Sequence, residues 1–230
     1  MSWPQWLVRF AGTLGLLAAL GLLPGCTPPA AHSDLGCGQS SVPCLQGSAR
    51  VLLSTAKGKV LIELDGKDAP LTAGNFLDLV RRGAYTNTVF HRVVKDPTPF
   101  VVQGGDPQSS QANVPVSQYG SGNFLDPASG APRYIPLEVK FKNEASPRYG
   151  TPLSGARVTE QLALPHYRGS VAMARSQDPN SASAQFYIAL NDLPELDGRY
   201  AVFGHVIEGM PVVDQISQGE RLVKAEVVKP

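Results

Sequence analysis

Between Phe90 and Asp106 the chain reads FHRVVKDPTPFVVQGGD, with a cation, Arg92, and a neutral amide, Gln103, at either end of an apolar segment closed by Gly104-Gly105. Thr88 to Val94 alternates like a strand with one face in a core. That alternation predicts Phe90 and Arg92 on one face and His91 on the other. An arginine that shares a face with a phenylalanine must find a partner or line a cavity, because an unpaired buried charge is costly. Phe100 to Gln103 reads as a second strand, and the two glycines mark a place that needs positive φ or close backbone approach. On these residues alone two readings stand. One is a site that presents hydrogen-bond donors; the other is a core hairpin whose arginine merely reaches for solvent.

Other chemistries find little support. All three cysteines, Cys26, Cys37 and Cys44, precede the folded part, which rules out a thiol nucleophile or a Cys-x-x-Cys zinc site there. The four histidines, His32, His91, His166 and His205, are scattered without metal-ligand spacing, so neither a metal nor a cofactor is expected. Gly104-Gly105-Asp106 lacks the Gly-Lys-Ser/Thr of a phosphate loop. Ser176, Ser181 and Ser183 lie near Asp178 without a nucleophile elbow. His91 reads as a hydrogen-bonded structural histidine, and Asp197-Gly198 as a turn. A formal net charge of +1 over 230 residues gives no footprint for nucleic acid.

The elements around this stretch follow from punctuation and period. Residues 1–25 carry Arg9 as their one charge, with an apolar run from Phe10 to Leu23 that is short for a membrane span. The run ends LLPGC, which resembles a bacterial lipoprotein signal whose cleavage leaves Cys26 as a lipid-modified N-terminus. Such a chain would be extracytoplasmic, in the bacterial cell envelope, held to a membrane at Cys26. Residues 26–48, rich in Pro, Ser, Gly and Ala, read as a flexible tether in which Cys37 and Cys44 could pair under oxidising conditions. Residues 49–230 then form one domain. Strands are expected over 50–56 and 59–65, and a helix starting at Pro70 buries Ala73, Phe76, Leu77 and Val80. Further short strands fall at 171–174, 185–190, 202–206 and 222–228, with a second helix at 209–216. Many short strands and two helices favour a closed antiparallel barrel. Lys140 to Leu164, within a long irregular stretch, looks like an insertion.

Three motifs in order, FHRVV…PFVVQGGDP, GSVAMARSQDPNSASAQFYIA (169–189) and LDGRYAVFGHVIEGM (196–210), make the chain from about Arg50 onward resemble a cyclophilin-type peptidyl-prolyl isomerase. The resemblance implies eight strands closed into a barrel and capped by two helices, acting as a monomer on proline-containing polypeptides. It assigns Arg92 as donor to the prolyl nitrogen and Gln103 as the grip on the substrate carbonyl. Phe100, Val101, Tyr187 and Leu196 would wall the proline pocket with Tyr200, and Met173 would support them from behind. Ala174, the backbone of Arg175 and Gln185 would line the neighbouring peptide groove. The sequence departs from the family at Tyr187 (more often Phe), Val101 (Met), Glu195 (Trp) and Tyr200 (His). The Tyr187 hydroxyl needs a partner. Two alternatives remain: a proline-peptide-binding module with weak or no catalysis, and a structural lipoprotein that contacts a partner through the insertion.

Overall fold

The computed structural model describes residues 36–37, 42–154 and 158–228, so the leader, Cys26 and most of the expected tether lie outside the described residues. Eleven strands form: β1 (Ser48–Thr55), β2 (Gly58–Asp65), β3 (Thr88–Val89), β4 (Arg92–Val94), β5 (Val101–Gly104), β6 (Glu138–Val139), β7 (Arg148–Tyr149), β8 (Ser170–Met173), β9 (Phe186–Ala189), β10 (Val202–Glu208) and β11 (Arg221–Val228). Helices are α1 (Pro70–Arg81), a single turn α2 (Val158–Gln161) and α3 (Met210–Gln215). Among these residues no helix is long and apolar enough to cross a membrane.

Nine of the strands make one curled antiparallel sheet in the order β3-β11-β1-β2-β10-β8-β9-β5-β4. The expectation of eight strands closed into a barrel is corrected here, because no ladder joins the two edges. The cause is a break in one predicted strand. Phe90 and His91 belong to no ladder, Phe90 bonding instead to Gly219 and Glu220 just ahead of β11, so the run from Thr88 to Val94 splits into β3, which pairs with β11, and β4, which pairs with β5. The edges are therefore joined by the chain itself. The break also overturns the expectation that Phe90 and Arg92 share a face. Phe90 is 1% exposed inside the sheet, whereas Arg92 points outward and is exposed.

The inside of the curl holds the main core. Phe76 of α1 sits at its centre, with the rings of Tyr85, Phe203 and Phe186 at centroid distances of 4.9, 5.0 and 5.2 Å. The period of two then sorts each strand. In β9, Phe186 and Ile188 point inward while Tyr187 and Ala189 point to a second apolar cluster outside; in β5, Val102 points inward and Val101 outward. In β8, Val171 and Met173 go inward and Ala172 outward.

The helix α1 is buried on more than the predicted stripe. Leu71 to Leu77, Leu79 and Val80 are all buried, because residues 42–47 cover the side away from the sheet. A Cβ on Gly74 would lie 2.0 Å from the Pro43 carbonyl oxygen, so only glycine admits this segment. The Cys37–Cys44 disulfide is formed, and Leu45 N–H donates to the Pro70 carbonyl at 3.0 Å. No acidic side chain of α1 itself meets its first turn. That place is taken by Glu138, 1% exposed, whose carboxylate accepts from Leu71 N–H (3.1 Å), Thr72 N–H (2.7 Å) and the Tyr149 hydroxyl (2.9 Å). A carboxylate at a helix N-terminus pairs orphan donors and complements the helix dipole. Burial raises the Glu138 pKa above the ordinary glutamate value, and the hydrogen bonds from Thr72, Leu71 and Tyr149 only partly offset it. A raised carboxyl pKa means that the folded state holds the proton more tightly than the unfolded state. Its contribution is therefore full below the ordinary glutamate value and is lost as pH rises through the raised one. Urea midpoints measured across that window are expected to fall with pH, with a flatter slope in Glu138→Gln.

The insertion is ordered where it is described. Its β7 pairs with β6 just ahead of it, and its Phe141, Leu153, Val158 and Leu162 pack with Leu137, Val139 and Ala201 into a third small core. Leu153 N–H donates to the Gly198 carbonyl at 2.8 Å. The insertion thus buttresses the segment Pro194 to Ala201 from behind.

Candidate active site

Strands β4, β5 and β9 build the site by register. Arg92 is the partner of Gln103 across β4–β5, and Gln103 is the partner of Tyr187 across β5–β9. The three side chains therefore stand in a row on the outer face. Gly105 makes the end of β5 possible: its φ is +82°, and a Cβ there would meet Phe186 Cδ1 at 2.8 Å and Tyr85 Cε1 at 3.0 Å.

A chain of hydrogen bonds orients the row. The Arg92 guanidinium donates from Nη1 to Gln103 Oε1 at 3.4 Å, and its Cζ lies 5.6 Å from the centre of the Phe100 ring. Gln103 Nε2 donates to Gln185 Oε1 at 3.3 Å, and Gln185 Nε2 donates to the carbonyls of Gly120 and Gly122 at 3.0 Å each. Asp106, fully buried, holds that glycine loop from the other side, its Oδ2 accepting from Gly120 N–H at 2.6 Å and Gly122 N–H at 3.2 Å. With the amide of Gln103 turned this way, its second Nε2 proton points away from Gln185. Arg92 has further donors beyond the one spent on Gln103.

Phe100, Val101, Tyr187, Leu196, Tyr200 and Ala174 all fall in the outer apolar cluster beside Arg92. Met173 does not, since β8 turns it into the main core behind that cluster, where it is 1% exposed. Next to the cluster lies a cavity of about 300 Å³ lined by Gln103, Ala174, Arg175, Gln185, Ser181 and Ser183 among others. Arg175 holds its guanidinium 4.7 Å above the Tyr200 ring, anchored by two hydrogen bonds to the Arg199 carbonyl. Glu195 is exposed in the 3-10 turn Pro194–Leu196.

Two residues outside the predicted set complete the site. The Tyr187 hydroxyl meets His166 Nε2 at 2.9 Å, and His166 Nδ1 meets Asp197 Oδ1 at 2.7 Å. Burial pushes the Tyr187 phenol well above its ordinary pKa. For Asp197, burial opposes the charge, but hydrogen bonds from the His166 ring, the Thr159 hydroxyl and the His166 N–H outweigh it and hold the carboxyl below its ordinary value. The one signal in the sequence was the phenolic oxygen itself, which had to have a partner. The His91 ring is half-buried against Gly120, and burial lowers its pKa against the opposing charge of Asp106 and the Val89 and Gln185 groups that face it.

The family model described as cyclophilin type peptidyl-prolyl cis-trans isomerase matches residues 50–230. The chain belongs to that family. A Synechocystis protein named as a thylakoid lumen peptidyl-prolyl cis-trans isomerase is 37% identical over 199 residues, covering 82% of this chain and 49% of the relative. This cyclophilin thus spans about half the length of that relative. A Brucella suis protein named as a peptidyl-prolyl cis-trans isomerase is 33% identical over 180 residues, covering 78% of this chain and 77% of its own. Among solved structures, a Cryptosporidium parvum cyclophilin crystallised in the presence of the dipeptide Ala-Pro superposes with a TM-score of 0.55 at 25% identity, covering 79% of this chain and 99% of that one.

Proposed function

We propose that this cyclophilin accelerates cis–trans exchange of Xaa-Pro bonds in exported polypeptides, as a monomer held to a membrane by a lipid on Cys26. The observation that carries the reading is the hydrogen-bonded series Arg92–Gln103–Gln185 beside an apolar cluster and a cavity of about 300 Å³. Amide resonance sets a rotation barrier of about 18–20 kcal/mol, and Xaa-Pro cis and trans states are nearly balanced, so the difficulty is rate and not equilibrium. Twisting the C–N bond breaks resonance and leaves a lone pair on a pyramidal prolyl nitrogen. A guanidinium donor aimed at that nitrogen interacts with the twisted state more strongly than with the planar one, and only such a difference speeds the step. The free Nε2 proton of Gln103 suits the flanking carbonyl, and the walls Phe100, Val101, Tyr187, Leu196 and Tyr200 suit the ring. Ala174, Arg175 and Gln185 suit the neighbouring residues of the peptide. No nucleophile, general base, metal or cofactor enters this scheme. The leader ending at Cys26 and the lumenal name of the Synechocystis relative support an extracytoplasmic site of action.

The departures Tyr187, Glu195 and Tyr200 favour one competing reading, a groove that binds proline peptides and has lost most of its catalysis. NMR exchange spectroscopy on a proline peptide with the chain from residue 26 onward separates the two. Cis–trans cross-peaks that strengthen with protein are expected; saturable shifts without added exchange would leave the binding module. Radiolabelled palmitate that enters the full-length chain but not Cys26→Ala is the expected sign of the anchor.

A further inference from the structure

The hydrogen-bonded series Tyr187–His166–Asp197 joins the two walls of the apolar cluster. Tyr187 belongs to β9, on one side. Asp197 follows Leu196 in the turn that carries Leu196 and Tyr200, on the other. His166 lies between them, its side chain and that of Asp197 each 1% exposed. Three further contacts reinforce the bridge. The backbone N–H of His166 also donates to Asp197 Oδ1 at 2.7 Å, and Leu193 N–H donates to the His166 carbonyl at 2.9 Å. The His166 and Tyr187 rings are stacked, centroids 6.0 Å apart and planes 12° apart. On its other side Tyr187 meets Tyr200 edge-on at 5.9 Å and 82°.

The proton inventory gives the series one direction. An ionised carboxylate only accepts, so Nδ1 of His166 carries a ring proton toward Asp197; in the neutral imidazole Nε2 then offers its lone pair to the phenol O–H. Tyr187 is then the donor at the far end of the series. Packing alone does not call for this arrangement. A phenylalanine would fill nearly the same volume, and replacing buried polar partners by apolar groups of similar shape is often neutral or stabilising. What hydrogen bonds add is direction. The phenol is pinned at its far end, so the ring that faces the prolyl slot cannot turn without breaking a buried bond, and the Leu196–Tyr200 wall is tied to the same imidazole.

We propose that His166 and Asp197 are positioning residues that set the width of the proline slot by clamping Tyr187 and the facing turn to one another. The clamp acts on the enzyme reading given above and rests on it. Because the walls grip the ring alike in the planar and twisted states, loosening them removes uniform binding. KM should then rise while kcat stays nearly unchanged.

The test is steady-state isomerisation of an Xaa-Pro peptide at a temperature where near-UV circular dichroism shows every variant folded. Tyr187→Phe and Asp197→Ala are expected to raise KM about five- to tenfold with kcat within about twofold of the parent. Asp197→Asn, whose side-chain oxygen still accepts from the His166 ring and backbone, is expected to rescue KM to within about twofold. The triple variant Tyr187→Phe/His166→Leu/Asp197→Asn, which removes the ring partners together with the buried charge and keeps an amide oxygen for the residue 166 N–H, should regain stability over Tyr187→Phe yet keep the high KM. Parental KM in folded Tyr187→Phe and Asp197→Ala, or a triple variant that regains KM together with stability, overturns the clamp. A parent chain that does not isomerise at all would instead overturn the enzyme reading, so the two failures are told apart.

Discussion

Replacing Arg92 by alanine is expected to lower kcat/KM for an Xaa-Pro peptide by about 10²–10³-fold, the range for removing one preorganised donor from a developing charge. The loss should fall on kcat, because the guanidinium meets the prolyl nitrogen's lone pair only once the amide has twisted. Geometry supports so large an effect. Arg92 is placed by the β4–β5 ladder opposite Gln103, bonded to its Oε1 at 3.4 Å, and packed 5.6 Å from the Phe100 ring centre. No neighbouring cation among the row's members, Gln103 and Gln185, could replace it. Arg92→Lys keeps the charge but loses the planar fork, so it should recover only part of the rate. Arg92 is exposed and belongs to no part of the core, so the thermal midpoint of Arg92→Ala should barely move. A protease-coupled or NMR exchange assay that finds parental kcat in the alanine variant would remove Arg92 from the reaction.

Phe76→Ala is expected to destabilise the domain by about 3–5 kcal/mol, the usual cost of a phenylalanine-sized cavity in a core. Phe76 is fully buried, and three aromatic rings lie about its own, those of Tyr85 and Phe203 tilted and that of Phe186 edge-on. These rings come from separate parts of the chain, which limits how far the site can collapse around the deletion. The midpoint of denaturant unfolding should fall with little change in slope, because the same surface is exposed on unfolding. Phe186 precedes Tyr187 in β9, so partial collapse toward the cavity would also pull on the outer row. A loss under about 1 kcal/mol would show that the aromatic cluster repacks and that Phe76 is not its centre.

The parts of this cyclophilin that could be read along the chain are those whose physics is local. Pro70 predicted the start of α1, and the strand-like runs predicted β1, β2, β9 and β11 closely. The pair Arg92 and Gln103 was legible because a hairpin joins them, and a hairpin's register follows from short-range pairing. The face of Phe90 was not legible, since alternation holds only while the strand is continuous and the break at Phe90-His91 resets it. Glu138 and α1 lie 67 residues apart from Leu71, and nothing near Pro70 announces that its first turn borrows a distant carboxylate. The insertion read as irregular extra sequence because its small core closes only against distant residues such as Ala201, with Leu153 bonded to Gly198.

Residue order by itself determined the strand and helix menu, the outward and inward sides of each unbroken strand, and the pairing of Arg92 with Gln103 across one hairpin, because each depends on neighbours a few residues away. Only the tertiary structure decided that the sheet stays open at its paired edges, that residues 42–47 lie against α1, and that Tyr187 is held through His166 to Asp197. Those outcomes hinge on which buried polar groups find one another across 21 and 31 residues of chain. The sequence states each group's need for a partner, and packing alone chooses the partner.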